Sequence, residues 1–113
     1  MAEQDDGRVD ELEQHVDAVK SRAVVLYLSV GRASYPKHNP GALDSAFTPV
    51  EADELRGYVE SLLTEMYALP VNWQMHSLLS GTYAVEAELR VRHPEMSDDA
   101  IHALGWDFSY SWK

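Results

Sequence analysis

Apolar residues recur at alternating intervals of three and four along most of this chain, with polar residues between them. Val9, Leu12, Val16, Val19, Ala23, Leu26 and Val30 form the first such run. That period lays one stripe along a helix packed lengthwise on others, and it predicts helix over roughly residues 6–32, capped by Asp5 or Asp6. Asp10, Glu11 and Glu13 lie early in the run, Arg22 and Arg32 late, as the helix dipole favours. Val24, Val25, Tyr27 and Leu28 add apolar residues off the stripe, so its second half should be the more buried. That β-branched run also argues for a strand, but the helical period continues through it.

Thr48-Pro49-Val50-Glu51 is a capping box with proline at the first helical position. It opens a predicted helix over roughly residues 49–69, whose stripe is Leu55, Val59, Leu62, Met66 and Leu69. Gly57 weakens it and would permit close approach of another helix. Pro70 ends it. A third helix is predicted over roughly residues 73–92, with Asn72 as its cap and Met75, Leu78, Leu79, Thr82, Val85 and Leu89 as its stripe. So short a connection predicts that the second and third helices are antiparallel neighbours. Pro94 stops the third helix, and Ser97 caps a fourth over roughly residues 98–112. Met96 and Ile101 are placed as a hydrophobic staple, and Ile101, Leu104, Phe108 and Trp112 form the stripe. Trp106 and Tyr110 fall off it. The expectation is all-α: a four-helix bundle forming a single domain over residues 1–113.

The long connection, Gly31 to Ala46, contains Pro36, Pro40, Gly41 and Asn39, which disfavour helix. It follows Lys20 and Arg22 and carries Arg32 and Lys37, in a stretch from residue 20 to residue 40 that has no acid. Its length admits a crossover strap or a binding loop.

Elsewhere the chain is acidic, with a net charge of −10. That balance opposes nucleic acid and anionic lipid, which require clustered Lys and Arg, and suits a basic protein partner. The absence of cysteine excludes disulfides, thiolate metal sites and cysteine nucleophiles, and it fits a cytoplasmic setting. The acidic N-terminal residues do not read as a signal peptide. Ala23–Leu28, the longest apolar run, is too short to span a bilayer.

Catalytic and metal signatures are weak. Glu11 with His15, and Asp98 with His102, are i,i+4 pairs of a common kind. Neither Glu-x-x-His on the helices nor His-Glu-x-x-His occurs, nor a Gly-x-Ser-x-Gly elbow or a phosphate loop. No catalytic residue, metal ligand or cofactor is assigned. His93, Glu95, Asp98, Asp99 and His102 gather at the corner between the third and fourth helices and have the donor types of a divalent-cation site.

The expected function is a non-catalytic module covering a basic surface on a partner protein. In size, charge and helicity the chain resembles the small acidic immunity proteins that neutralise bacterial toxins; an antitoxin or adaptor would share that character. No motif carries the resemblance, and no residue roles come from it. Glu51, Asp53, Glu54 and Glu60 are the candidate acidic contacts, with Tyr58, Trp73 and Trp106 as aromatic anchors. The alternative is a ligand- or metal-binding bundle, or a small enzyme, built around His76, His93 and His102 on the third and fourth helices. Either reading admits a homodimer through the stripe of the first helix.

Overall fold

A computed structural model of the chain describes residues 17–111. These form four α-helices: α1 (Ala18–Tyr27), α2 (Pro49–Ala68), α3 (Leu78–Arg92) and α4 (Asp98–Ser111), with a short 3-10 helix, Pro40–Ser45, before α2. The fold is an all-α four-helix bundle. No helix among the described residues is long and apolar enough to cross a membrane.

Asp17 caps α1, its carboxylate accepting from the Lys20 amide at 3.0 Å. The Asp17 amide in turn donates to the Glu95 carbonyl at 2.7 Å. The Ser97 amide donates to buried Ser21 Oγ at 2.9 Å. The start of α1 is thus fastened to the corner between α3 and α4. Positions before Asp17, including Val9, Leu12 and Val16, lie outside the described residues.

α1 ends at Tyr27, five residues before the expected boundary at residue 32. The cause is a Schellman motif. Ser29 adopts φ 66°, its amide donates to Leu26, and the Val30 amide donates to Val25, both at 3.2 Å. Serine in the glycine-favoured position hides this stop from a reading of the sequence. The expected stripe is also rotated. Val19 is 51 % exposed and Val30 is exposed, whereas Ser21, Ala23, Val24, Tyr27 and Leu28 are buried. With apolar residues at five consecutive positions from Val24 to Leu28, two registers fit the period. The buried one also lets Tyr27 donate its hydroxyl to Glu60 at 3.2 Å.

The connection after α1 is a strap that belongs to the core. The Asn39 amide donates to the Tyr27 carbonyl at 2.7 Å. Ser29 Oγ donates to the Lys37 carbonyl at 2.6 Å. The 3-10 helix then buries Ala42 and Leu43 against α1 and α2.

The capping box of α2 is present with both reciprocal bonds, Glu51 amide to Thr48 Oγ1 at 3.3 Å and Thr48 amide to Glu51 Oε1 at 3.1 Å. Ala52, Leu55, Val59, Leu62, Leu63 and Met66 face the core. Gly57 does not receive another helix: a Cβ added there would have nothing within 4 Å.

α3 begins at Leu78, not residue 73. Asn72 does cap, but it closes a single turn, with Oδ1 accepting from the Gln74 amide at 3.0 Å. The helix proper starts where the Ser77 and Ser80 hydroxyls each accept the other residue's amide, at 3.1 and 3.0 Å. α3 packs along α4 and not along α2, so these consecutive helices are not the expected antiparallel neighbours. Met75 and Leu79, placed on its buried stripe by periodicity, are 78 % and 62 % exposed.

Ser97 caps α4, accepting from the Ala100 amide at 3.2 Å. Ile101, Leu104 and Phe108 enter the core, and Met96 is buried with them. Trp112 lies outside the described residues.

Candidate functional site

Among the described residues three histidines meet carboxylates, at three places in the bundle, and these places differ in how completely the acid is satisfied. At the corner between α3 and α4, His93 Nε2 lies 2.8 Å from Glu65, and Nδ1 lies 3.2 Å from Glu95. Arg92 also reaches Glu65 at 3.1 Å. Tyr58 donates to Glu95 at 2.6 Å. The bonds from His93 and Arg92 hold the Glu65 carboxyl below the usual glutamate range. Burial pushes Glu95 up, but the bonds from Tyr58, the backbone and His93 outweigh it and hold it low. Burial, and then Glu95, push the Tyr58 phenol far above its ordinary value. This cluster clamps α2 to the corner.

The second contact joins the strap to α4. Asp107 is buried, with His38 Nε2 at 2.9 Å from Oδ1 and the Tyr67 hydroxyl donating to Oδ2 at 2.6 Å. Tyr67 also meets Ser111 Oγ at 2.8 Å. Burial, and then the bond to Asp107, raise the Tyr67 phenol, so it stays a proton donor across the physiological range. Both carboxylate oxygens are therefore occupied.

The third contact is thinner. Glu86 on α3 is buried, and its Oε1 lies 3.4 Å from His102 Nδ1. The carboxylate rests against Gly105 of α4, where a Cβ would come within 2.7 Å of Glu86 Cδ. It lines an open groove of about 440 Å³ between α3 and α4, walled by Leu78, Leu79, Thr82 and Trp106. Across Trp106 a second groove of about 380 Å³ runs between α1 and α4, walled by Val25, Val30 and Ala103. Trp106 is thus a half-buried ridge between two apolar troughs. Asp99 and His102 complete the lining of the second trough, and exposed Tyr83 follows Leu79 one turn along α3.

The sequence-derived candidates do not gather at one place. At 3.6 residues per turn, Glu51, Glu54 and Tyr58 fall on one flank of α2, and Asp53 and Glu60 on the opposite flank. Asp53 pairs with Arg56 at 2.7 Å. Glu60 accepts from Tyr27. Lys20 lies over the Tyr58 ring, 4.7 Å from its centroid, and the hydroxyl is held by Glu95. Trp73 stacks on Phe108, centroids 6.2 Å apart, and leans on Gly81. Of the three aromatic candidates, Trp106 lines the grooves.

The acidic corner does not assemble either. His93 turns to Glu65 and Glu95, Asp98 pairs with Arg90 at 3.5 Å, and His102 faces Glu86. His76 meets Ser80 Oγ at 3.1 Å. Among the described residues, no three histidine, aspartate or glutamate side chains converge as metal ligands do. Glu86, Leu79, Val25 and Val30 were missed by sequence reasoning. One signal was present for Glu86: it is an acid beside Val85 on the apolar face that also carries Thr82 and Leu89.

No family model matches the chain, and neither a curated protein nor a solved structure is significantly similar to it.

Proposed function

We propose that this chain is a non-catalytic module, acting in the cytoplasm, that binds a basic protein through the two-trough face centred on Trp106. In role it would stand with immunity proteins, antitoxins or adaptors. The observation that carries this reading is the pair of adjoining troughs that share half-buried Trp106, with exposed Leu79 and Val30 on their walls, on a chain of net charge −10. Contiguous apolar surface of that kind marks interaction sites, and a central tryptophan is a common anchor. The acids of α2 lie on both of its flanks, where they add to a negative field that speeds encounter with a basic partner.

The test is capture from lysate of the source cell with the full chain, the Trp106→Ala variant and a variant neutralised at Glu51 and Glu54. The reading expects a stoichiometric basic protein that is retained at low salt and weakened at high salt. It should be lost with Trp106→Ala and associate more slowly with the α2 variant. Capture that is indifferent to Trp106→Ala, or no captured protein at either salt, overturns it. A second reading, a small-ligand site, is favoured by one observation: the Glu86–His102 contact opens onto a groove of ligand-pocket size.

A further inference from the structure

We infer that the groove between α3 and α4 seats one lysine or arginine side chain of the partner protein, with the Glu86 carboxylate as its counter-ion. The inference rests on the protein-partner reading above and adds the chemistry of the contact. The Glu86 side chain is 7 % exposed, yet among the described residues its one polar contact is His102 at 3.4 Å, and its second oxygen, packed on Gly105, accepts no hydrogen bond there. The other buried acid among the described residues is not left this way. Asp107 has a donor on each oxygen. A buried carboxylate lacking donors is costly unless something completes it.

The local construction keeps that carboxylate in place at the groove wall. Gly105 removes the one side chain that would displace it, since a Cβ at this position would press on Glu86 Cδ and Cγ at 2.7 and 2.9 Å. Leu78, Leu79 and Trp106 form the apolar walls. Lys and Arg side chains lay their aliphatic stems along such walls while the charged head reaches a polar end, and a tryptophan face adds attraction for the cation. A neutral apolar group would fill the walls and leave the carboxylate unpaired; an anion would be repelled.

The shape argues that the cation belongs to a protein rather than to a free amine. The groove is open, and its apolar surface continues over Trp106 into the trough of Val25, Val30 and Ala103. A single side chain fills the first groove, and its own chain can cover the rest. Arg90, the cation of α3 nearest along this flank, is engaged with Asp98 at 3.5 Å and is directed away from the role.

The full chain, labelled with nitrogen-15, should be titrated with n-butylguanidinium and separately with n-pentanol, a neutral chain of similar reach. The readouts are the Gly105 amide and the Trp106 indole N–H, the latter assigned by its loss in Trp106→Phe. Saturable shifts with the guanidinium and little response to pentanol are expected, and Glu86→Gln should weaken guanidinium binding by about tenfold to a hundredfold. Equal responses to the two probes, an unchanged affinity in Glu86→Gln, or a Glu86→Gln chain that no longer folds would each overturn the counter-ion role; the comparison of probes on the unsubstituted chain needs no variant at all. If the cation binds through Glu86 but no basic protein is captured, the partner assignment falls while the counter-ion role stands. If a partner is captured through Trp106 and Glu86→Gln holds it equally well, the function stands and this inference falls.

Discussion

Asp107 and Glu86 are the two buried acids among the described residues, and each meets a histidine that is partly exposed. Asp107 receives Tyr67 and His38 at 2.6 and 2.9 Å, and through them it fastens α2 and the strap to α4. Glu86 receives His102 at 3.4 Å, faces a glycine and borders open space. Equal burial therefore accompanies opposite states of satisfaction. The difference separates a carboxylate whose partners are internal from one whose partner comes from outside.

The largest effect should come from breaking the satisfied member. Asp107→Ala takes the carboxylate from His38 and leaves the Tyr67 hydroxyl with only the residue-107 carbonyl at 3.1 Å and Ser111 Oγ at 2.8 Å, and denaturant unfolding should show a loss of about 2 kcal/mol. Glu86→Gln should stay within about 1 kcal/mol of the unsubstituted chain, or rise above it, because it removes a poorly compensated buried charge. Equal losses for the two would erase the distinction.

The aromatic residues repeat the contrast on a smaller scale. Trp106→Ala should weaken partner binding by about 2 kcal/mol while the chain stays folded. Trp73→Ala should do the reverse, lowering the unfolding midpoint and leaving partner affinity unchanged in the folded protein, because Trp73 is packed on Phe108 and Gly81. Isothermal titration beside thermal unfolding separates the two.

Sequence alone carried the fold wherever a local chemical rule decides. The Thr48–Glu51 box and the Ser97 cap are written in adjacent residues and formed as expected. It failed where one residue type does another's work. Ser29 takes the left-handed position that glycine usually holds, so α1 stops early. Ser77 and Ser80 outcompete Asn72, so α3 starts late. The site was less legible still. Of the seven residues chosen, Trp106 alone lines the troughs, because exposure and flank depend on which helices pack together. Glu86 and Gly105 face each other across a helix interface that no local pattern announces.

Acid should loosen the clamp at the corner between α3 and α4. Glu65 and Glu95 have folded-state values below the usual glutamate range. Groups lowered in this way contribute stability that is complete above the unfolded glutamate value of about 4.3 and is lost as pH falls through the folded values. The chain should therefore lose stability progressively below about pH 4. A Glu65→Gln, Glu95→Gln chain should be less stable than the unsubstituted one at neutral pH, and the two should converge in acid. Denaturant midpoints from pH 7 to pH 3 would show the convergence; parallel curves would mean that these carboxylates are not what the clamp depends on.

The smallest effect concerns the outer face of α2, which is the counterpart of the Trp106 face. Gly57 lies mid-helix at an exposed position, and an added Cβ would meet nothing within 4 Å. Gly57→Ala gains helix propensity and restricts the unfolded chain without any contact to disturb, so it should stabilise by about 0.5–1 kcal/mol. Partner affinity should not change, since the proposed docking face lies on α1, α3 and α4. A stabilised variant that binds normally keeps the partner off the exposed face around Gly57. A variant that gains stability but loses the partner would move the interface to α2, where Glu51, Asp53, Glu54 and Glu60 are displayed, and the troughs beside Trp106 would need another explanation.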